Sequence, residues 1–80
     1  MQVSLNGALR SAADGNGSVD VDAATIRELI TKLVDRFPKL SAEVDKGVAV
    51  AIDGVVYRDD WTVRIPDDAE VFLMPRIAGG

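Results

Sequence analysis

Among the 80 residues there is neither cysteine nor histidine. The thiol nucleophile, the disulfide, the usual soft-metal ligands and the commonest general base are therefore all missing, and autonomous catalysis is disfavoured. What remains with chemical promise is the end of the sequence, Val71-Phe72-Leu73-Met74-Pro75-Arg76-Ile77-Ala78-Gly79-Gly80. A strand that runs straight into a terminal Gly-Gly presents its carboxyl group at the end of a rigid element. Glycine has no Cβ, so such an end fits a channel too narrow for side chains. The unmodified carboxyl group of Gly80 has an ordinary pKa of about 3.5 and is an anion at neutral pH, which makes it a poor acyl donor. Chemistry there requires prior activation, and the usual route is an acyl-adenylate made from ATP by a separate enzyme, since no nucleotide-binding motif occurs in the chain. A frayed end or a cloning scar is the alternative.

Other groups of polar residues carry less. Asp59-Asp60 and Asp67-Asp68 sit in expected turns, where aspartate is favoured for its local hydrogen bonds, and neither has calcium-loop spacing. Asp14-Gly15-Asn16-Gly17-Ser18 lacks the later glutamate of a calcium loop, and turn chemistry explains it. No metal site is expected. Tyr57 and Trp61 are too few for a base-stacking platform and read as core or edge packing.

The elements that must position the terminus can be read from periodicity. Met1, Val3 and Leu5 alternate with Gln2, Ser4 and Asn6 as a first strand with one buried face. Asn6-Gly7 suits a hairpin turn, but Ala8 to Ala13 is helix-friendly, so a short helical turn is favoured. After the turn-rich Asp14-Gly15-Asn16-Gly17, Val19 and Val21 mark a second strand, antiparallel to the first. Thr25-Ile26-Arg27-Glu28 fits a capping box, and Ile26, Leu29, Ile30, Leu33 and Phe37 form one apolar helical stripe, stopped at Pro38. Lys39 to Lys46 reads as an irregular connection, with or without a helical turn, ending at Gly47. Val48 to Ile52 is a strand with Val48, Val50 and Ile52 inward and Ala49 and Ala51 outward on a small, flat face. Asp53-Gly54 is a tight turn into a short strand, Val55 to Arg58. In the last strand Val71 and Leu73 point inward and Phe72 and Met74 outward, and Pro75, lacking an amide proton, is expected to end ladder pairing. The order of strands around one main helix gives an α+β class, a β-grasp: a mixed sheet of four to five strands packed on that helix, as one domain over 1–80 with 76–80 an extended tail.

An outward aromatic and an outward thioether beside Ala49 and Ala51 mark an interaction surface, so Phe72, Met74, Ala49 and Ala51 are the candidate partner-binding residues. A covering loop, or a strand with its faces reversed, is the alternative. Arg76 offers a charged contact to the same partner. With 48% hydrophobic and 28% charged residues the chain reads as globular. The net charge of −4 and nine scattered basic residues disfavour nucleic acid. A basic or mixed protein surface is the natural partner, unless the acidity serves only solubility. No apolar run approaches the ~20 residues that span a bilayer, and the first residues lack a basic leader, so no membrane association and a cytoplasmic location are expected.

Several stretches together resemble the MoaD/ThiS family of ubiquitin-like sulfur carriers. They are Asn6-Gly7-Ala8-Leu9-Arg10, Thr25-Ile26-Arg27-Glu28-Leu29, Val50-Ala51-Ile52-Asp53-Gly54 and Ala69 to Gly80. The resemblance implies that an E1-like adenylating enzyme uses ATP to activate Gly80. A sulfur-donating enzyme then gives a C-terminal thiocarboxylate, and the tail, Arg76, Ile77, Ala78 and Gly79, delivers it to a partner's active site. It further implies that the chain is a cosubstrate binding no cofactor of its own. The partner is the large subunit of molybdopterin synthase in one branch and thiazole synthase in the other. Length and the Ala8-Leu9-Arg10 segment resemble the molybdopterin branch. Met1-Gln2-Val3 and Asn6-Gly7 resemble the thiazole carriers, and Pro75-Arg76 stands where molybdopterin-branch tails commonly carry Pro-Pro. Related carriers also serve cysteine and other sulfur-containing products, and a ubiquitin-like modifier using the same activated terminus is a further reading.

Overall fold

Five strands and three helices follow one another as β1 (Gln2–Leu5), α1 (Ala8–Ala12), β2 (Ser18–Asp20), α2 (Ile26–Arg36), α3 (Leu40–Lys46), β3 (Val48–Ile52), β4 (Val55–Tyr57) and β5 (Val71–Pro75). The structure, a computed structural model, describes residues 1–76. The strands form one mixed sheet in the order β2-β1-β5-β3-β4. β5 lies at its centre, parallel to β1 and antiparallel to β3, while β1 with β2 and β3 with β4 are antiparallel pairs. This is the mixed β-grasp sheet expected from the strand order.

Alternation fixes which face is covered. Val3 and Leu5 of β1, Val19 of β2, Val48, Val50 and Ile52 of β3, and Val71 and Leu73 of β5 all join one core cluster. The stripe of α2 supplies its other half, with Ile26, Leu29, Ile30 and Leu33 buried. Each fully buried Leu, Ile or Val contributes about 1.5–3 kcal/mol relative to exposure, which is what holds so small a chain together. Helix α2 starts at Thr25, whose hydroxyl accepts from the Glu28 amide at 3.2 Å. The return bond of the capping box differs by one residue: the Glu28 carboxylate accepts from the Ala24 amide at 3.1 Å, ahead of the cap. The first amides of the helix are satisfied by a distant loop, because Ile26 N–H donates to the Val63 carbonyl at 3.1 Å and Arg27 N–H to that of Trp61 at 2.9 Å.

Three expectations are corrected. Residues 40–46 form a helix of seven residues where an irregular connection, with or without a helical turn, is expected, because Leu40, buried, and Val44, half-buried and one turn on, pack against the core. Residues after Tyr57 leave the sheet, and Ile65, only 5% exposed, packs into the core from that loop. Pairing also continues past Pro75: the Arg76 amide donates to the Gly47 carbonyl at 3.0 Å. The register explains why. Asp53 N–H donates to Glu70 and Arg76 N–H to Gly47 across β3, so even-numbered residues of this stretch bond towards β3 and odd-numbered ones towards β1. The missing amide of Pro75 therefore falls on the β1 side, beyond Leu5, the last β1 residue in register with β5, where no ladder bond is lost.

Candidate functional site: the outer face of the sheet and the root of the tail

The face of the sheet turned away from the core is read row by row from the strand register. One row runs Ser18, Ser4, Phe72, Ala51, Val56 and the next places Met74 beside Ala49. The β2–β1 half of this face is polar, with Gln2, Ser4, Ser18 and Asp20, and the Ser18 hydroxyl donates to the Gln2 side-chain oxygen. The β5–β3–β4 half is apolar. Phe72 and Met74 lie outside the core cluster and are half-buried, in keeping with the outward orientation read from alternation.

Ala49 and Ala51 also point to this outer face and stand outside the core cluster, yet they are 5% and 7% exposed. The flat, accessible strip expected of them is not what the structure has. Their methyl groups lie between larger neighbours on adjacent strands, Met74 beside Ala49, and Phe72 and Val56 on either side of Ala51. They form the floor of the apolar area, and its accessible parts are the taller side chains around them. Val56, 49% exposed, and Val55, 53% exposed, are the large apolar residues left most open. Val56 was legible in the sequence, because folding Val55–Tyr57 back across the Asp53-Gly54 turn puts it directly opposite Ala51. Both turn residues have positive φ, 49° and 86°, as a two-residue type I′ connection requires.

Arg76 is held at the sheet's end. Besides its backbone bond to Gly47, its guanidinium Nη1 donates to Asp59 Oδ1 at 2.8 Å. Its side chain lies over Gly47, where an added Cβ would approach Arg76 Cδ to 3.4 Å. The arginine read from sequence as a free charged contact is thus engaged within the chain, by a partner that spacing did not reveal. Ile77, Ala78, Gly79 and Gly80, the remainder of the expected tail, lie outside the described residues. The adjacent Asp60 builds an Asx turn, accepting from the Thr62 amide at 3.0 Å and from the Thr62 hydroxyl. The hydroxyl first and the amide second hold the Asp60 carboxyl below its ordinary value of 3.8. Among the described residues no group of three or more His, Cys, Asp or Glu is placed to hold a metal ion, and no helix is long and apolar enough to cross a membrane.

A central β5 that is parallel to the first strand, crossed by one principal helix and leading out towards a Gly-Gly sequence, defines a β-grasp domain of the ubiquitin-like class. The sequence profile of the ThiS family matches residues 3–80. The chain belongs to the ThiS family, the ubiquitin-like sulfur carriers that its terminal residues resemble. Among solved structures it is similar to a Pyrococcus furiosus protein designated a candidate molybdopterin converting factor, subunit 1, with 22% identity, 95% of each chain covered and a TM-score of 0.77. It is similar also to a chain of the Amycolatopsis orientalis BexX/CysO complex, with 23% identity, 99% of this chain and 98% of that one covered and a TM-score of 0.76. A third likeness is to small archaeal modifier protein 1 from Methanosarcina acetivorans, with 21% identity, 99% and 94% covered and a TM-score of 0.74. No curated protein is similar enough in sequence to count as a match.

Proposed function

We propose that the chain is a sulfur carrier whose Gly80 carboxyl group is adenylated and converted to a thiocarboxylate, and that it serves as the small subunit of a molybdopterin synthase. The observation that carries the carrier reading is the family match running through residue 80, with the central strand of the sheet ending at Pro75, five residues short of it. An E1-like enzyme joins the carboxylate to the α-phosphate of ATP and releases pyrophosphate. A sulfur-donating enzyme then displaces AMP, and the thiocarboxylate yields its sulfur in the large subunit's active site. The chain supplies a docking face, formed by Phe72, Met74 and Val56 over the floor of Ala49 and Ala51, and a terminus without side chains. It acts as a cosubstrate, with ATP consumed by the activating enzyme, in the cytoplasm.

The Pyrococcus furiosus likeness supports the molybdopterin assignment over delivery to thiazole synthase. The archaeal modifier likeness supports a second reading, in which the activated Gly80 forms isopeptide bonds. Intact-mass measurement after incubation with ATP, an E1-like enzyme and a sulfur source tests the carrier reading. The expected product has one oxygen of the terminal carboxyl group replaced by sulfur, and its absence with an enzyme competent on other carriers would sink the reading. Co-purification distinguishes the acceptors, since molybdopterin synthase large subunit and thiazole synthase are different proteins. The remnant Ile77-Ala78-Gly79-Gly80, left on lysines of other proteins by tryptic cleavage after Arg76, would favour the modifier.

A further inference from the structure

We propose that Asp59 is a positioning residue for the activation of Gly80: it anchors Arg76 and so fixes the point at which the chain leaves the sheet. This rests on the carrier reading above. Three contacts from two separate segments converge on Arg76. Its amide donates to the Gly47 carbonyl at 3.0 Å, its guanidinium donates to Asp59 at 2.8 Å, and its stem lies over Gly47, at van der Waals distance from where a Cβ would stand. Gly47 has φ 108°, a conformation that side-chain-bearing residues rarely adopt, so the backbone specifies glycine here.

The residues that follow Asp59 are braced. Asp59 begins a loop in which Asp60 is tied to Thr62, and the carbonyls of Trp61 and Val63 receive the first amides of α2. The anchor therefore stands two residues before a segment bonded to the main helix. Its two ends are also open to solvent, with the Arg76 side chain 45% and the Asp59 side chain 78% exposed. Such a pair is reversible and screened by salt.

The consequence for Gly80 is one of tether length. With Arg76 fixed, four residues separate the last fixed point from Gly80; with pairing lost back to Met74, six do. Lengthening that stretch weakens the presentation of Gly80, and the effect is bounded by the strength of the ion pair that is lost. An exposed ion pair of ordinary strength permits up to about fivefold.

The test uses the full 80-residue chain and an E1-like enzyme that adenylates it, with pyrophosphate release as the readout. Asp59→Asn should raise KM for the carrier by up to about fivefold, leave kcat unchanged, and lose its effect in high salt. Hydrogen exchange at the Arg76 amide should accelerate in the same variant. Arg76→Asp should show the same KM defect, and the charge swap Asp59→Arg with Arg76→Asp should relieve it. A KM for Asp59→Asn equal to that of the wild type, or a swap as defective as Arg76→Asp alone, overturns the positioning role; the latter outcome would make Arg76 a direct contact to the enzyme. Wild-type chain that no such enzyme adenylates overturns the carrier reading itself and the positioning role with it.

Discussion

Single residues in this chain act mainly through short, local polar contacts, and Asp60 offers the clearest measurement. Its carboxylate is fully exposed, so desolvation is a minor influence; the Thr62 hydroxyl and amide, which bind the ionised form, lower its pKa from 3.8. A depressed folded-state pKa means that Asp60 favours folding above the unfolded value of 3.8, and that this contribution is lost as pH falls through the folded value. Carboxyl titration by NMR should therefore place Asp60 below the ordinary aspartate range. Thr62→Ala should bring it part of the way back, because the amide at position 62 remains. A titration unmoved by Thr62→Ala would exclude the hydroxyl as the main cause. Gly54 isolates a backbone effect in the same manner. Its φ is +86° and an added Cβ would meet nothing within 4 Å, so Gly54→Ala should cost about 1–2 kcal/mol from the left-handed backbone alone, read as a shift in the denaturation midpoint with unchanged slope.

Elements differ in how far they could be read from the sequence. Helix α2, β3 and β5 follow from periodicity because each buries one face against the same core, and burial writes itself into the spacing of Ile26, Leu29, Ile30 and Leu33 or of Val48, Val50 and Ile52. Helix α3 was illegible because its apolar signal is the pair Leu40 and Val44, and its N-cap, Lys39, makes no side-chain capping bond; tertiary packing supplies what local sequence lacks. The loop after β4 was missed for a related reason, since its role is played by backbone carbonyls, which leave no trace in residue type. That loop also sharpens the expectation for the α2 cap. With Ile26 and Arg27 amides bonded to Val63 and Trp61, only the Glu28 amide depends on the Thr25 side chain. Thr25→Ala should consequently cost about 1 kcal/mol, a fall in Tm of about 4–8 °C for a domain of this size. A much larger loss in thermal unfolding would point to the bridge between Thr25 and Arg64 as the greater contribution.

For the molecule as a whole, the proposed docking face on the apolar half of the sheet and the proposed reactive group at Gly80 are separate features, and the two can be tested apart. Val56 and Ser18 stand at opposite ends of one row across the sheet, and both lie outside the core cluster. Val56→Asp removes an accessible apolar side chain from the proposed docking face, whereas Ser18→Asp adds the same charge to the polar half. If the apolar half meets the activating enzyme, Val56→Asp should weaken binding by about tenfold, the order of one valine's burial, and Ser18→Asp by far less. Calorimetric titration measures this, and each variant's Tm shows whether the fold is retained. Equal losses at the two ends would refute docking through the apolar half. Residues appended after Gly80 provide the complementary separation, because they leave the sheet face untouched while capping the carboxyl group at which the proposed adenylation occurs. Such an extended chain should bind the activating enzyme with nearly wild-type affinity, unfold at the same temperature and yield no thiocarboxylate by intact mass. An extended chain that still acquired sulfur would show that the reactive group lies elsewhere than Gly80.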